Sequence, residues 1–191
     1  MVIGITGGVG AGKSTVINYM AENFDCYAIL ADDVARDLQA KDAIAYKEIV
    51  DWLGEDILAN DKEIDRAKLA KIVFKDPMMV EKLNDIVHPK VRTKIVELVN
   101  DNLDKHAHIA IEAALLVEAH YEDIYDELWY VSADEEVRIK RLMSDRGYSY
   151  ERCVNIINNQ LKDSEYRAAA DYIIVNNGDL SSLNEQIKER L

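Results

Sequence analysis

Gly7-Gly8-Val9-Gly10-Ala11-Gly12-Lys13-Ser14 follows the short apolar run Val2–Thr6 and precedes a stretch with helical spacing. The order of strand, glycine-rich octet and helix decides the fold. The octet fits the pattern G-x-x-x-x-G-K-[S/T] in full. Glycines reach backbone angles closed to other residues and let amides converge on a phosphate. A helix that starts near Lys13 aims the positive end of its dipole at the same point. From there Lys13 can reach β- and γ-phosphates, and the Ser14 hydroxyl can ligate magnesium. The expected ligand is therefore ATP with magnesium. A chance match in a chain of this length is on the order of one per cent. No register of these glycines yields G-x-G-x-x-G, which disfavours a dinucleotide site. The protein-kinase signatures V-A-I-K, H-R-D and D-F-G are also absent.

Working outward, Cys26–Leu30, residues 108–113, Glu127–Ser132 and Tyr172–Val175 read as further short strands. Lys13–Asn23 reads as a helix with Val16, Ile17, Met20 and Phe24 on one face. Residues 134–144 form a basic amphipathic pattern, and 181–191 close the chain as a helix with Ser181 or Ser182 as N-cap. The stretch 41–105 contains no convincing strand. Its apolar residues, among them Trp52, Ile72, Val87, Ile95 and Val99, recur at helical spacing. Pro77 is expected to open one of these helices, and Pro89 to interrupt the run after His88. Strands alternating with helices imply a parallel sheet covered on both faces. The expectation is one three-layer α/β domain over residues 1–191, with a helical insert at about 41–105 and a mobile lid at about 145–163 around Gly147.

The chain has 191 residues, is 49% hydrophobic and carries a net charge of −13. So acidic a protein is a poor binder of nucleic acid or anionic lipid, and local cations must overcome its field if it holds a polyanion. The two cysteines, Cys26 and Cys153, match no metal or redox spacing. No targeting segment or membrane span is legible. A reduced, cytoplasmic setting is expected.

In an open α/β sheet, ligands sit beyond the carboxyl ends of the strands. Asp32 and Asp33 stand at one such end. Either could accept the proton of an attacking hydroxyl, or cap the next helix, and spacing alone leaves the choice open. Glu112 ends the apolar run Ile109-Ala110-Ile111, where a magnesium-shell carboxylate would sit; the plainer alternative is a surface glutamate. Arg138, Lys140, Arg141, Arg146 and Arg152 cluster in an otherwise acidic chain. Arg138 and Arg141, three apart, share a helix face. Arg141 is the favoured phosphate clamp, Lys140 the favoured solvent-facing residue. His88, His106 and His108 complete no metal site, and His106 and His108 are read as solvent-facing.

Several longer segments then go beyond the loop. Ala31-Asp32-Asp33-Val34-Ala35-Arg36, Ile64-Asp65-Arg66, Val73-Phe74, Ile86-Val87-His88-Pro89, Leu115-Leu116, Arg141-Leu142, Gln160 and Ala170-Asp171-Tyr172-Ile173-Ile174-Val175-Asn176-Asn177-Gly178 together resemble the dephospho-coenzyme A kinase family along nearly the whole chain. The resemblance implies a P-loop kinase related to the nucleoside monophosphate kinases, with a five-stranded parallel core, a helical insert for the coenzyme A precursor, and a lid. It implies γ-phosphate transfer from ATP to the ribose 3′-hydroxyl of dephospho-CoA. The protein is expected to be a monomer. The resemblance assigns the base position to Asp32 and a lid arginine to Arg141. It assigns ATP contacts to Gly8, Val9, Gly10, Ala11, Gly12, Lys13, Ser14, Thr15, Asn176 and Asn177. Asp32, Arg36, Arg66 and His88 fall to the acceptor substrate, and Ser14 and Glu112 to magnesium. The chain departs from the family pattern at Leu30, Glu112 and Ala114, where the family favours Asp, Asp and Pro, at Arg146 in Asp145-Arg146-Gly147, and at Ile156. The rival readings are a kinase for another small acceptor, such as a nucleoside monophosphate, and a nucleotide-dependent switch.

Overall fold

The computed structural model describes residues 1–113, 116–117 and 121–191; Ala114 and Leu115 lie outside them. The chain divides into two compact units, Met1–Ile29 with Val99–Leu191, and Leu30–Leu98.

The first unit holds a five-stranded, all-parallel sheet in the order β2-β3-β1-β4-β5 with helices on both sides. The strands are β1 (Val2–Thr6), β2 (Cys26–Leu30), β3 (His108–Glu112), β4 (Glu127–Ser132) and β5 (Tyr172–Val175). All five residues of β1 are buried, as a central strand covered on both faces requires. The register pairs Ile5 with Glu112 of β3 and with Trp129 of β4. Trp129 is fully buried and meets Tyr172 edge-on at 5.3 Å. Burying one side chain of this size contributes on the order of 1.5–3 kcal/mol.

Around the sheet lie α1 (Lys13–Asn23), α6 (Glu135–Arg146), α7 (Tyr150–Asn158), α8 (Asp163–Ala169) and α9 (Leu180–Arg190). The buried face of α1 is Val16, Ile17 and Met20; Phe24 is its C-cap rather than a further turn. The N-cap of α9 is Asp179, whose carboxylate accepts from Ser182 N at 2.9 Å, and not Ser181 or Ser182. Aspartate and serine cap about equally well, and Asp179 is the residue with extended backbone (φ −81°, ψ 162°) just before the first turn. The segment expected as mobile contains α7, anchored by the fully buried Cys153 beside Ile139 and Leu142 of α6.

The second unit comprises α2 (Ala31–Leu38), α3 (Tyr46–Leu53), a 3-10 turn (Glu55–Ile57), α4 (Arg66–Val73) and most of α5 (Pro77–Asn102). Asp65 caps α4 by accepting from Ala67 N at 2.9 Å and Lys68 N at 3.1 Å. Pro77 opens α5, as read from the sequence, with Asp76 accepting from Met78 N at 2.9 Å. Pro89 does not interrupt the run: α5 continues through it. Two local features favour continuity. Val87, Val91, Ile95 and Val99 form a buried stripe at four-residue spacing. The Lys90 ammonium donates to Ile86 O at 3.0 Å, in the turn where proline disturbs the backbone ladder.

Candidate active site

The loop at the carboxyl end of β1 is built by glycines whose missing side chains leave room for other groups. Gly12 has φ 93° and stands as the N-cap of α1. A Cβ there would lie 2.2 Å from Asn176 Nδ2. At Gly8 a Cβ would lie 2.2 Å from Arg138 Nη2. Gly12 is therefore required by its own backbone angle as well as by the contact with Asn176, whereas at Gly8 a side chain would displace the Arg138 guanidinium.

Those contacts seize the loop's carbonyls. Arg141 Nη1 donates to Gly10 O and Ala11 O, each at 3.3 Å. Asn176 Nδ2 donates to Ala11 O at 2.7 Å. Arg138 Nε donates to Val9 O at 2.9 Å. In a trans peptide the C=O and the following N–H point in opposite directions, and the described residues contain no cis bond. Val9 O and Ala11 O, held on one side, thus turn the Gly10 and Gly12 amides toward the other, while the Ala11 amide closes the loop on Gly8 O at 3.1 Å. In the first turn of α1 the Thr15 amide closes on Gly12 O at 3.1 Å, and the Lys13 and Ser14 amides before it extend the same row of donors.

Lys13 lies against this row. Its ammonium donates to Gly7 O at 2.9 Å and sits 3.5 Å from Glu112 Oε1. Both side chains are largely buried, at 12% and 21% exposure, so the pair is less screened than a surface salt bridge. Glu112 comes alongside because β3 pairs directly with β1. Ser14 is exposed in the first turn of α1. A serine hydroxyl and a carboxylate are hard oxygen donors suited to magnesium. Among the described residues there is no cluster of three or more His, Cys, Asp or Glu side chains able to cage a metal. This donor set fits an ion whose remaining ligands are phosphate and water.

Arg138, Lys13 and Arg141 bring positive charge to one loop of a chain with net charge −13. Burial pushes the Arg138 guanidinium below its ordinary value, and the nearby Tyr130 and Tyr166 push the other way. At the start of α8, Asp163 accepts from Tyr130 Oη at 2.9 Å and Ser132 Oγ at 3.3 Å, both on β4, and it pairs with Arg167. Burial acts to raise the Asp163 carboxyl, but the hydrogen bonds from Arg167 and Tyr130 outweigh it and hold the group below its ordinary value.

The residues expected from the sequence thus divide. Gly8, Val9, Gly10, Ala11, Gly12, Lys13, Ser14, Thr15, Glu112, Arg141, Asn176 and Asn177 all belong to the first unit. Arg141 and Asn176 touch the loop directly. Asn177 accepts from Asp134 N at 2.7 Å, at the start of α6. Asp32, Arg36, Arg66 and His88 belong to the second unit. There, neither Asp32 nor Asp33 caps α2, whose N-cap is Leu30. Asp33 pairs with Arg36 at 2.6 Å, while Asp32 is exposed and without an ion pair among the described residues. Arg66 opens α4 in an exposed position, and His88 is half-buried within α5.

Arg138 is the residue that sequence reasoning passed over. Its spacing to Arg141 placed it on the correct face, but nothing local separates a loop contact from a solvated arginine. His106 and His108 also differ from expectation, since both are half-buried. His106 Nδ1 lies 2.9 Å from Asp25 Oδ1, and its ring stacks on Tyr27 at 5.5 Å.

A central parallel strand that runs into a glycine loop, a helix N-terminus, a lysine and a neighbouring strand-end carboxylate defines the P-loop phosphotransferases. Within that class, the family model for dephospho-CoA kinase matches residues 1–182. A dephospho-CoA kinase of Carboxydothermus hydrogenoformans is 40% identical over 97% of this chain and 90% of its own length. Among solved structures, a Thermus thermophilus protein superposes with a TM-score of 0.80 at 28% identity, covering 100% of this chain and 95% of that one. A dephospho-CoA kinase from Campylobacter jejuni gives a TM-score of 0.72 at 26% identity, covering 99% and 94%. The chain belongs to the dephospho-CoA kinase family.

Proposed function

We propose that this chain transfers the γ-phosphate of ATP to the ribose 3′-hydroxyl of dephospho-CoA, giving coenzyme A. The observation that carries the reading is the family match over residues 1–182, which falls on an intact phosphate loop with Lys13 in place.

In this reading the loop amides, Lys13 and Arg141 stabilise charge on the transferring phosphoryl group. Ser14 and Glu112 would hold magnesium, which supplies charge neutralisation on the phosphates when bound. Asp32, which makes no cap and no ion pair among the described residues, accepts or directs the proton of the attacking hydroxyl. Asn176 and Asn177 form the turn beside the adenine. Dephospho-CoA is received by the helical insert, about residues 41–105, through Arg36, Arg66 and His88. Residues of about 145–163 serve as the lid. The reading further has the protein working as a cytoplasmic monomer that binds no nucleic acid. No helix among the described residues is long and apolar enough to cross a membrane.

The test is purified protein with Mg-ATP and dephospho-CoA, scored for coenzyme A by mass, with AMP as the competing acceptor. Phosphorylation of dephospho-CoA and not of AMP is expected. Phosphorylation of AMP alone would replace the acceptor, and ATP hydrolysis without either acceptor would replace the class.

A further inference from the structure

Val9 has both of its backbone polar groups tied to side chains from distant parts of the chain. Its N–H donates to Gln160 Oε1 at 3.0 Å. Its C=O accepts from Arg138 Nε at 2.9 Å. Arg138 Nη2 donates to the same Gln160 Oε1 at 2.7 Å, which closes the three groups into a ring. The guanidinium reaches this position over Gly8, where a Cβ would lie 2.2 Å from Nη2. The Val9 side chain packs on the cluster of Ile139, Leu142 and Cys153.

These bonds fix two successive peptide planes. Gln160 holds the Gly8–Val9 plane through its N–H. Arg138 holds the Val9–Gly10 plane through its C=O, and so orients the Gly10 N–H away from the arginine. A glycine-rich loop has many backbone states, and ordering it on binding phosphate would lower affinity. A side-chain ring that orders it beforehand removes that cost.

We propose that Arg138 and Gln160 are positioning residues for phosphate transfer, locking the Val9 peptides so that the loop amides are aimed before ATP arrives. Gln160 lies between α7 and α8, so the aim of the loop depends on the conformation of that connection. The inference rests on the reading of the loop as the ATP site.

The test compares Arg138→Lys, Gln160→Leu and the double variant. Arg138→Lys keeps the charge and loses the forked geometry that reaches both acceptors. The dissociation constant for Mg-ATP is measured by calorimetry, and KM for each substrate by turnover. Each single variant is expected to weaken ATP binding about ten-fold and to raise KM for ATP while leaving KM for dephospho-CoA unchanged. The double variant is expected to lose no more than either single one, because one ring is broken once. Multiplying losses, equal rises in both KM values, or ATP binding within about two-fold of the parent would each overturn the proposal. So would a fall in kcat alone, the mark of a smaller active fraction. If Arg138→Lys fails to fold by circular dichroism, Gln160→Leu decides, since Gln160 lies outside the buried core. Should the parent bind Mg-ATP but make no coenzyme A, the acceptor reading falls, and the calorimetric comparison still judges the ring.

Discussion

Arg141 and Asn176 hold each other against the phosphate loop: Arg141 Nη2 donates to Asn176 O at 3.0 Å and to its Oδ1 at 3.2 Å, while Asn176 Nδ2 donates to Ala11 O at 2.7 Å. Asn176 is only 5% exposed and follows β5 directly. One buried amide thus ties the edge of the sheet, α6 and the loop into one network.

Replacing Asn176 with Ala leaves Ala11 O without its shortest donor and removes one acceptor of the arginine. A cost of about 1–3 kcal/mol is expected for leaving such groups underpaired, read as a lower melting temperature together with weaker Mg-ATP binding. Gly12→Ala attacks the same contact from the other side, since φ is 93° and the new Cβ would lie 2.2 Å from Asn176 Nδ2. It is expected to lose ATP binding more completely than Asn176→Ala. Parental ATP affinity in Gly12→Ala would contradict the geometry.

Asp32 and Lys13 are expected to separate chemistry from folding. Asp32→Asn should fold, bind Mg-ATP and lose most turnover, and Lys13→Ala should keep its circular dichroism spectrum and lose activity. Removing an electrostatic group of this kind raises a barrier by about 2–4 kcal/mol. Near-parental turnover in Asp32→Asn would remove Asp32 from the base position.

Glu112→Gln takes away a carboxylate 3.5 Å from the Lys13 ammonium and one magnesium donor of the proposed site. The magnesium concentration needed for half-maximal rate is expected to rise about ten-fold. Titrating magnesium at fixed ATP measures it. An unchanged midpoint with a lower rate would leave Glu112 as a partner of Lys13 alone.

Acid stability should fall in two windows. The His108 ring is held below its ordinary value of 6.5, by burial first and then by the N-terminal charge. The unfolded chain therefore binds its proton at a higher pH than the native one, and stability declines as pH drops below about 6.5. Asp25 is held below its ordinary value of 3.8 by the His106 hydrogen bond and then the Ala107 amide. Its contribution is complete above 3.8 and is lost as pH falls through the lower native value. Urea melts across pH should show His108→Gln flattening the first decline and Asp25→Asn flattening the second. A single variant that flattens both would refute the assignment.

Much of this was legible because it is local. The octet ending in Lys13-Ser14 announces a phosphate loop through backbone angles and charge that adjacent residues supply. Short apolar runs separated by helical spacing announce the parallel sheet, because burial on both faces demands continuous hydrophobicity. Pro77 marks a helix start by the same local rule, whereas Pro89 misleads. A proline's cost is local, but the buried stripe from Val87 to Val99 that favours continuity comes from packing.

The sequence by itself therefore determined the loop, the strands and the family, all of which are written in neighbouring residues or in motifs. Only the tertiary structure decided that Arg138 and Gln160 clasp Val9, that Asn176 is buried under the loop, and that Glu112 stands beside Lys13. Residues 9, 138 and 160 meet because the sheet order places β4 beside β1 and carries α6 and α7 back over the loop. No spacing along the chain encodes such a meeting, because it depends on how separately formed elements pack.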